Sequence, residues 1–300
     1  MFKTFDELFK HLKTKGRERI VVAGGEDIEA LKAVKESYDH GFGKAVLVGF
    51  EDKIKSSLDT LGSDDFVEKL VGISFEEEKG TVAVREIKQG GGVLLKGQIK
   101  TAYLLKAVLD KENGLRTDKM ISDVFVFEDT VVSKKLVLMS DGGVNINPDL
   151  KTLIAIIENA VEVAHKLGNE NPKVALLSAV EVVNPDMEDT LNWSIISKMN
   201  KRGQIKGCVI DGPLALDNAI SKYAAEKKGI KSEVAGNADI LIVPNIVVGN
   251  VFGKSLAYYS KFKNAHIIMG AKVPVMIPSR ADRSDVKFNS IALAIASKTI

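Results

Sequence analysis

Cysteine is almost absent from this chain of 300 residues, in which Cys208 is the single cysteine. One cysteine cannot form an internal disulfide, and with four scattered histidines it cannot build a Cys-rich zinc site. Cys208 lies in an apolar run, so the sequence predicts a buried, inert thiol and not a nucleophile. A chain without disulfides fits a reducing compartment, and we expect a cytoplasmic location.

Long hydrophobic runs and a charge excess of one sign are missing as well. No stretch approaches 18 uninterrupted apolar residues, and the first residues lack the apolar segment of a signal peptide. The 42 Lys and Arg residues nearly balance the 40 Asp and Glu residues, which leaves a formal net charge of +2. We therefore expect neither a membrane nor a nucleic acid as partner, and any anion site must be built locally.

The residues that are present predict an α/β protein with a sizeable core. Hydrophobic residues make up 45% of the chain, and its length suggests one large domain or two of about 150 residues. Short β-branched runs alternate with segments of helical periodicity, a pattern typical of a largely parallel sheet covered by helices. We predict two α/β lobes with a cleft between them, the first comprising residues 1–142 and 278–300 and the second residues 143–277.

Periodicity also predicts the individual elements. An opening helix is indicated by the spacing of Phe2, Phe5, Phe9 and Leu12. The predicted strands are 19–23, 45–48, 70–74, 92–95, 121–127, 135–139, 173–177, 207–210, 239–243, 265–269 and 273–277. The further predicted helices are 27–38, 52–61, 77–88, 99–111, 150–166 with a cap at 147–149, 186–200, 215–227, 249–263 and a final helix from Ser284.

Function is expected at the carboxyl ends of the strands, where ligands bind in open α/β sheets. Five predicted strand ends carry Gly, Asn or charged residues: Lys96-Gly97, Asp211-Gly212-Pro213, Pro244-Asn245 with Gly249-Asn250, Met269-Gly270, and Ser279-Arg280. The last pair is the most informative, since it precedes the final helix. A guanidinium, a hydroxyl and helix N–H groups at such a position can be presented together to an anion.

Three other patterns have simpler interpretations. The segment from Gly249 to Ser255 is one residue short of a nucleotide phosphate loop, so we predict a helix that begins near Gly249. Gly24-Gly25 lacks the spaced glycines of a dinucleotide turn and predicts a plain tight turn. Asp186 and Asp189 could hold a metal, but a helix cap with favourable charge near the helix dipole is preferred.

Taken together, these residues resemble the phosphate acyltransferase family, which comprises phosphotransacetylases and phosphate butyryltransferases. The likeness is strongest across residues 174–296 and rests on several ordered motifs. These are Asp211-Gly212-Pro213-Leu214, Asp217-Asn218-Ala219, Val243-Pro244-Asn245-Ile246, Gly249-Asn250, Lys254-Ser255, Ile268-Met269-Gly270-Ala271, Val273-Pro274-Val275 and Ser279-Arg280, preceded by Lys96-Gly97, Thr101, Gly114-Leu115-Arg116-Thr117 and Asn147-Pro148-Asp149. The chain length and the segment Ser279-Arg280-Ala281-Asp282 resemble the butyryltransferase branch.

The resemblance implies a reversible transfer of a short acyl group, such as butyryl, between coenzyme A and inorganic phosphate. It implies direct displacement in a cleft between two lobes of the isocitrate/isopropylmalate dehydrogenase type. Coenzyme A is then a substrate or product, with acyl-CoA, phosphate and acyl phosphate as small-molecule partners, and no permanently bound cofactor or metal is expected. Dimers or larger homo-oligomers are implied as well.

The resemblance also suggests roles for individual residues. Arg280 is the candidate clamp on the phosphoryl oxygens, and Ser279 the candidate hydrogen-bond partner of the acyl carbonyl or thiol. Phosphotransacetylases have an Asp a few residues beyond this pair, and Lys287 aligns near that position here. As the base we therefore prefer Asp282, with Asp285 or an activated water as alternatives. The candidate substrate and coenzyme A contacts are Lys96, Gly97, Lys100, Thr101, Arg116, Asp211, Gly212, Pro213, Asn245, Gly249, Asn250, Lys254 and Gly270.

Two alternative functions are compatible with the sequence. A metal-dependent hydroxy-acid dehydrogenase of the same fold class would need convergent aspartates, for which Asp186, Asp189 and Asp211 are the candidates. A non-catalytic protein that binds coenzyme A or acyl phosphate would accommodate the altered Asp position.

Overall fold

The computed structural model describes residues 1–279 and 281–298 and has a mixed α/β fold. Its described part contains no helix with both the length and the apolar character needed to cross a bilayer. In chain order the elements are α1 (Phe5–Lys13), β1 (Glu18–Ala23), α2 (Ile28–Asp39), β2 (Gly43–Gly49), α3 (Glu51–Leu61), β3 (Val67–Gly72), α4 (Glu78–Gly90), β4 (Val93–Lys96), α5 (Thr101–Val108), β5 (Ser122–Asp129), β6 (Lys135–Ser140), α6 (Leu150–Lys166), β7 (Lys173–Leu177), α7 (Glu188–Lys201), β8 (Val209–Leu214), α8 (Leu216–Ile220), α9 (Lys222–Lys227), β9 (Ile240–Ile242), α10 (Ile246–Tyr258), β10 (Asn264–Met269), β11 (Val275–Met276) and α11 (Ser284–Ser297).

Two compact units divide the chain. The terminal unit comprises Asp6–Lys119 and Ala265–Ile300, and the central unit comprises Met1–Phe5 and Met120–Asn264. The terminal unit arranges its strands in the order β3-β2-β1-β4-β11-β10. All neighbours in it are parallel except β10 and β11. Residues 20–23 of β1 are fully buried, as expected for a parallel strand covered on both faces.

The central unit arranges its strands in the order β5-β6-β9-β7-β8. β5 and β6 form an antiparallel pair, and the other neighbours are parallel. Trp193 of α7 is fully buried, and its indole N–H donates to the Leu177 carbonyl at 2.9 Å. A buried Trp needs such a partner for its N–H group, and this bond ties α7 to the end of β7.

The unit boundaries fall earlier in the sequence than the predicted lobe boundaries. β6 pairs with both β5 and β9, which keeps residues 120–142 with the central unit. β11 pairs with β4, and Lys272 N donates to Leu115 O at 2.8 Å, which keeps residues 265–277 with the terminal unit. Pairing between strands that are distant in sequence therefore sets these boundaries.

Several local predictions are wrong in detail. α10 begins at Ile246 and not at Gly249, because the Asn245 side chain caps it by accepting from Val248 N at 3.1 Å. The predicted helix 215–227 is two helices, α8 and α9, separated at Ser221, whose side chain caps α9. The residue at the N-cap of α7 is Met187 without a side-chain cap, so Asp186 does not cap this helix.

Candidate functional site

The ends of β1, β2 and β4 pack closely in the terminal unit. Gly97 N donates to Ala23 O, and Gln98 N donates to Gly24 O, both at 2.9 Å. Gly24 has φ +90°, and a Cβ there would lie 2.5 Å from Gln98 backbone atoms. A Cβ at Gly97 would lie 2.2 Å from Gly24 O. The tight turn predicted at Gly24-Gly25 is confirmed, and only glycine fits at these two contacts.

The predicted basic residues of this unit differ in exposure. Lys96 is 7% exposed, and its ammonium lies 3.5 Å from Gly97 O. Lys100 is exposed and occupies the N-cap of α5, while Thr101 is its exposed first residue. Arg116 is exposed as well. A buried lysine and the N-terminus of an eight-residue helix therefore lie at the carboxyl end of β4. Ligands of open α/β sheets bind at such strand ends.

Gly270 lies at the end of β10 and is buried, with φ +94°. Its carbonyl accepts a 2.5 Å hydrogen bond from the Thr117 hydroxyl, and Thr117 directly follows Arg116. The Gly114–Thr117 segment and Gly270, which the sequence analysis identified as separate motifs, are therefore neighbours in the terminal unit.

Ser279 and Asp282 form a small turn before α11. Ser279 is exposed, and its N–H donates to Asp282 Oδ2 at 2.7 Å. The same oxygen lies 3.4 Å from His266 Nε2 of β10, a residue that sequence reasoning did not select. Arg280, the predicted clamp, lies outside the described residues. Asp282 thus holds the Ser279 backbone in place through one carboxylate oxygen.

The electrostatics of this turn favour an ionised Asp282. Burial alone would raise the pKa of Asp282, but the hydrogen bond and charge of His266, the Ser279 N–H and the Lys287 charge together hold it below its usual value. A carboxylate with a lowered pKa is a weaker proton acceptor, although it remains negative over the whole neutral range.

The N-terminus of α11 is already occupied by protein groups. Ser284 N donates to Glu29 Oε2 at 3.0 Å, so this N–H is not presented to an anion. Lys287 is 4% exposed, and its ammonium lies 3.0 Å from both carboxylate oxygens of Asp27. Lys287, which the resemblance predicts at the position of the family's Asp, therefore forms an ion pair with the partly buried Asp27. Asp285 is exposed and accepts from Val286 N at 3.0 Å.

The central unit carries an apolar cavity of about 1150 Å³ at the ends of β7 and β9. Leu153, Leu177 and Trp193 line it together with Asn245, the cap of α10. The exposed side chains of Val247, Val248 and Val251 lie along the same cavity.

The remaining predicted residues on α10 lie close to the end of β6. Gly249 is buried, and a Cβ there would lie 2.5 Å from Asp141 O, so close packing explains this glycine. Asn250 Nδ2 donates to Gly142 O at 3.4 Å. Lys254 is exposed. Because the whole segment from Gly249 to Ser255 is helical, it does not form a phosphate loop.

The motif Asp211-Gly212-Pro213 lies inside β8 and not at its end, because the strand continues to Leu214. Asp211 Oδ1 accepts from Gly212 N at 3.0 Å. A Cβ at Gly212 would lie 2.5 Å from the Leu176 Cβ, which explains the glycine by strand packing. A ligand contact by this motif stays a prediction.

Three buried carboxylates of the central unit were missed, namely Asp123, Asp129 and Asp141. Asp141 is 2% exposed and accepts from the backbone N–H groups of Gly143, Val144 and Asn145. Burial, followed by the charge of Asp123, raises its pKa. Its position directly after β6, before two glycines, was the signal that could have identified it as the organiser of this loop.

Two simpler expectations are answered by the structure. Cys208 is buried, and burial together with the charge of Glu158 raises its pKa to about 11, in agreement with the predicted inert thiol. Within residues 1–279 and 281–298, no three His, Cys, Asp or Glu side chains are grouped so that they could hold a metal ion. Asp186, Asp189 and Asp211 accordingly form no such group.

Several known proteins are similar to this chain over most of its length. Residues 74–295 match the family described as "Phosphate acetyl/butaryl transferase". The phosphate butyryltransferase of Clostridium acetobutylicum is 45% identical over 98% of both chains. The phosphate acetyltransferase of Thermotoga maritima is 42% identical over 96% of this chain and 98% of its own. The crystal structure of a branched-chain phosphotransacylase from Enterococcus faecalis aligns with a TM-score of 0.82 and 35% identity, covering 93% of this chain and 98% of the other. The chain therefore belongs to the phosphate acetyl/butaryl transferase family.

Proposed function

We propose that this protein transfers a short acyl group reversibly between coenzyme A and inorganic phosphate. The observation that carries the proposal is the family match over residues 74–295, together with near full-length relatives named for this activity. In the phosphate-consuming direction, a phosphate oxygen attacks the thioester carbonyl and a C–O bond forms. The C–S bond then breaks, and the thiolate that leaves takes up a proton to give free coenzyme A.

The terminal unit supplies the groups that this reaction needs. Negative charge develops on the carbonyl oxygen during the reaction, and the phosphate is negatively charged throughout. Fixed hydrogen-bond donors and cations therefore stabilise the transition state. Ser279 is exposed while Asp282 holds its backbone, which suits a hydroxyl that must be both accessible and oriented. We assign Arg280 to the phosphoryl oxygens because its planar fork binds two oxygens at once.

The buried ammonium of Lys96 and the N-terminus of α5 provide a second cationic region for phosphate groups of either substrate. Lys100 and Arg116 are exposed in the same unit and suit the outer phosphates of coenzyme A. The candidate base is still Asp282, with Asp285 or a water as alternatives. The lowered pKa of Asp282 favours its role in orienting Ser279.

The experiment measures thiol release from acetyl-, propionyl-, butyryl- and isobutyryl-CoA with and without phosphate. We expect release only when phosphate is present, with a maximum at one acyl chain length that identifies the substrate. Release without phosphate would contradict the proposal, since it would mean hydrolysis. Coenzyme A binding without turnover on any substrate would favour the non-catalytic alternative.

The dehydrogenase alternative has less support, because the described residues offer no group of three or more His, Cys, Asp or Glu side chains that could hold its metal. Activity with a nicotinamide cofactor, magnesium and a hydroxy-diacid would restore it. The isocitrate/isopropylmalate dehydrogenase-like arrangement of lobes, the absence of a permanently bound cofactor and the cytoplasmic location stay predictions.

We further propose that two copies of this chain associate through α10 of the central unit. Val247 and Val251 are 66% and 65% exposed. Lys254 is the one charged residue in the sequence of α10, so two copies of this face could meet without strong repulsion. Exposed apolar patches of this kind mark interaction sites in soluble proteins. The oligomeric mass in solution, compared between wild type and the variants given in the Discussion, tests this assignment.

A further inference from the structure

A buried ion pair lies at the carboxyl ends of β1, β2 and β4 in the terminal unit. The Lys79 ammonium lies 3.2 Å from Glu26 Oε1, and each side chain is 3% exposed. Lys79 belongs to the first turn of α4, and Glu26 follows the Gly24-Gly25 turn. Neither residue belongs to the motifs that identify the family resemblance.

Each partner also binds backbone groups at these strand ends. Glu26 Oε1 accepts from Phe50 N at 2.9 Å, directly after β2. Lys79 Nζ donates to Gln98 O at 2.8 Å and lies 4.9 Å from the centre of the Phe50 ring. The pair therefore connects the segments that follow β1, β2 and β4 with the start of α4.

The pair is an inefficient source of stability. Removing two charges from water is costly, and apolar residues of similar volume often serve a core equally well or better. Glu26 Oε2 is buried and has no hydrogen-bond partner among the described residues, which adds to the cost. Gly49 makes room for this oxygen, since a Cβ there would lie 2.6 Å away. The reason for keeping the pair is better sought in what it holds in place.

The backbone of Gln98 is what the pair holds. Its N–H donates to Gly24 O and its carbonyl accepts from Lys79, so the peptide groups on both sides of this residue are fixed. Gln98 lies between Lys96, with its buried ammonium, and Thr101, the first residue of α5. Movement at Gln98 would therefore displace both the Lys96 side chain and the N-terminus of α5.

We propose that Lys79 and Glu26 are positioning residues that fix residues 97–100 and thereby orient Lys96 and the N-terminus of α5 toward the phosphate of a substrate. The identity of that phosphate rests on the proposed function, whereas the fixing of the segment does not. Lys79 acts through Gln98 and touches no substrate.

Four variants test the proposal. Lys79→Met removes the donor, and the double variant E26Q/K79M removes it without leaving a buried charge unpaired. Lys79→Arg keeps the charge and donors. Lys69→Met is the control, because Lys69 of β3 also pairs with a buried carboxylate, Glu86 of α4, at 2.8 Å, although the Lys69 side chain itself is 48% exposed.

We expect K79M and E26Q/K79M to raise the KM for phosphate and for coenzyme A about tenfold, with a smaller effect on kcat, because a lost hydrogen bond from a charged group weakens what it positioned. K79R should recover most of that loss, and K69M should match the wild type. A KM in the double variant equal to that of the wild type would overturn the proposal.

Amide hydrogen exchange gives a second, activity-independent measurement. We expect the amides of residues 98–104 to exchange about tenfold faster in E26Q/K79M than in wild type or K69M. If the wild type shows no turnover on any acyl-CoA, the proposed function fails while this comparison still decides the positioning role. Unchanged exchange in this segment would overturn the role even in an active enzyme.

Discussion

The two units place charge and apolar surface very differently. Among the described residues, Lys79, Lys96 and Lys287 are the buried lysines, and all three belong to the terminal unit. The buried charged residues described in the central unit are all aspartates: Asp123, Asp129 and Asp141. Conversely, 15 of the 16 large apolar side chains found exposed in the described part belong to the central unit, and Phe75 is the exception.

This difference indicates a division of tasks between two units of similar architecture. A reaction on phosphate needs fixed positive charge in a place from which water can be excluded, and we assign that task to Lys96. Lys79 and Lys287 instead form ion pairs with Glu26 and Asp27 inside the terminal unit. Exposed apolar side chains serve contact with another surface. We therefore attribute anion recognition to the terminal unit and self-association to the central unit.

Removing Arg280 should cause the largest loss of activity. Arg280→Ala is expected to lower kcat/KM about 10² to 10³-fold, the usual cost of losing one donor to developing charge. Steady-state thiol release measures the effect, and circular dichroism checks the fold. Arg85→Ala is the control, since Arg85 is exposed on α4 of the same unit. Equal losses in both variants would contradict the special role of Arg280.

Adding one methyl group at Gly24 tests the close packing of the strand ends. In Gly24→Ala the new Cβ would meet the Gln98 backbone at 2.5 Å, so residues 97–100 must shift. We expect kcat/KM to fall about tenfold or more, as misplacement of binding groups usually costs. Gly62→Ala is a matched control: Gly62 also has positive φ, +70°, but nothing lies within 4 Å of its Cβ position.

The control at Gly62 separates backbone strain from displacement of the segment. It should cost about 1 kcal/mol of unfolding free energy with no change in kcat/KM, because strain alone acts on stability. If G62A lowers activity as strongly as G24A, the packing at Gln98 is not what the reaction depends on.

Charges on α10 should test the contribution of the central unit. V247E/V251E places carboxylates on the exposed apolar face, and we expect it to shift the protein from a dimer to a monomer in light scattering at micromolar concentration. F75E changes a side chain of comparable exposure, 67%, in the terminal unit and should leave the mass unchanged. A wild-type monomer, or a dimer that tolerates both charges, would contradict the assignment.

The smallest expected effect concerns Asp282 and pH. Its folded pKa lies below the unfolded one, so its charge stabilises the fold above about pH 4, and that contribution is lost as the pH falls through the folded pKa. Asp282→Asn should cost about 1 kcal/mol at pH 7 and little at pH 3. Urea unfolding at both pH values measures this. An undiminished difference at pH 3 would show that the cost is not electrostatic.

Much of the fold could be predicted from periodicity. The bounds predicted for β7, residues 173–177, agree with the structure, and the predicted cap of α6 is confirmed by the bond from Thr152 N to Asp149 at 2.8 Å. The predicted strand 207–210 ends too early, because Asp211-Gly212-Pro213 was taken as the junction after the strand and not as part of β8. As the last strand in the order of its unit, β8 tolerates a residue without an N–H donor.

The site could be predicted only where it follows local rules. Lys96-Gly97 and Asn245 were found because they lie at, or shortly after, the ends of β4 and β9. Glu26 and Lys79 were missed because their partnership joins residues far apart in sequence, and no periodicity reports a buried charge inside a helix. Gly249 was misread as a helix start. A glycine is needed there because a Cβ would lie too close to Asp141 O, and such a tertiary contact cannot be read from the sequence.

The most direct test of the central claim is the identity of the product. Wild-type protein is mixed with butyryl-CoA and phosphate, the acyl phosphate is trapped with hydroxylamine, and the hydroxamate is compared with the thiol released. We predict one acyl phosphate for each thiol and none without phosphate. Thiol release without a trapped acyl phosphate would contradict the account, because the acyl group would then have been transferred to water.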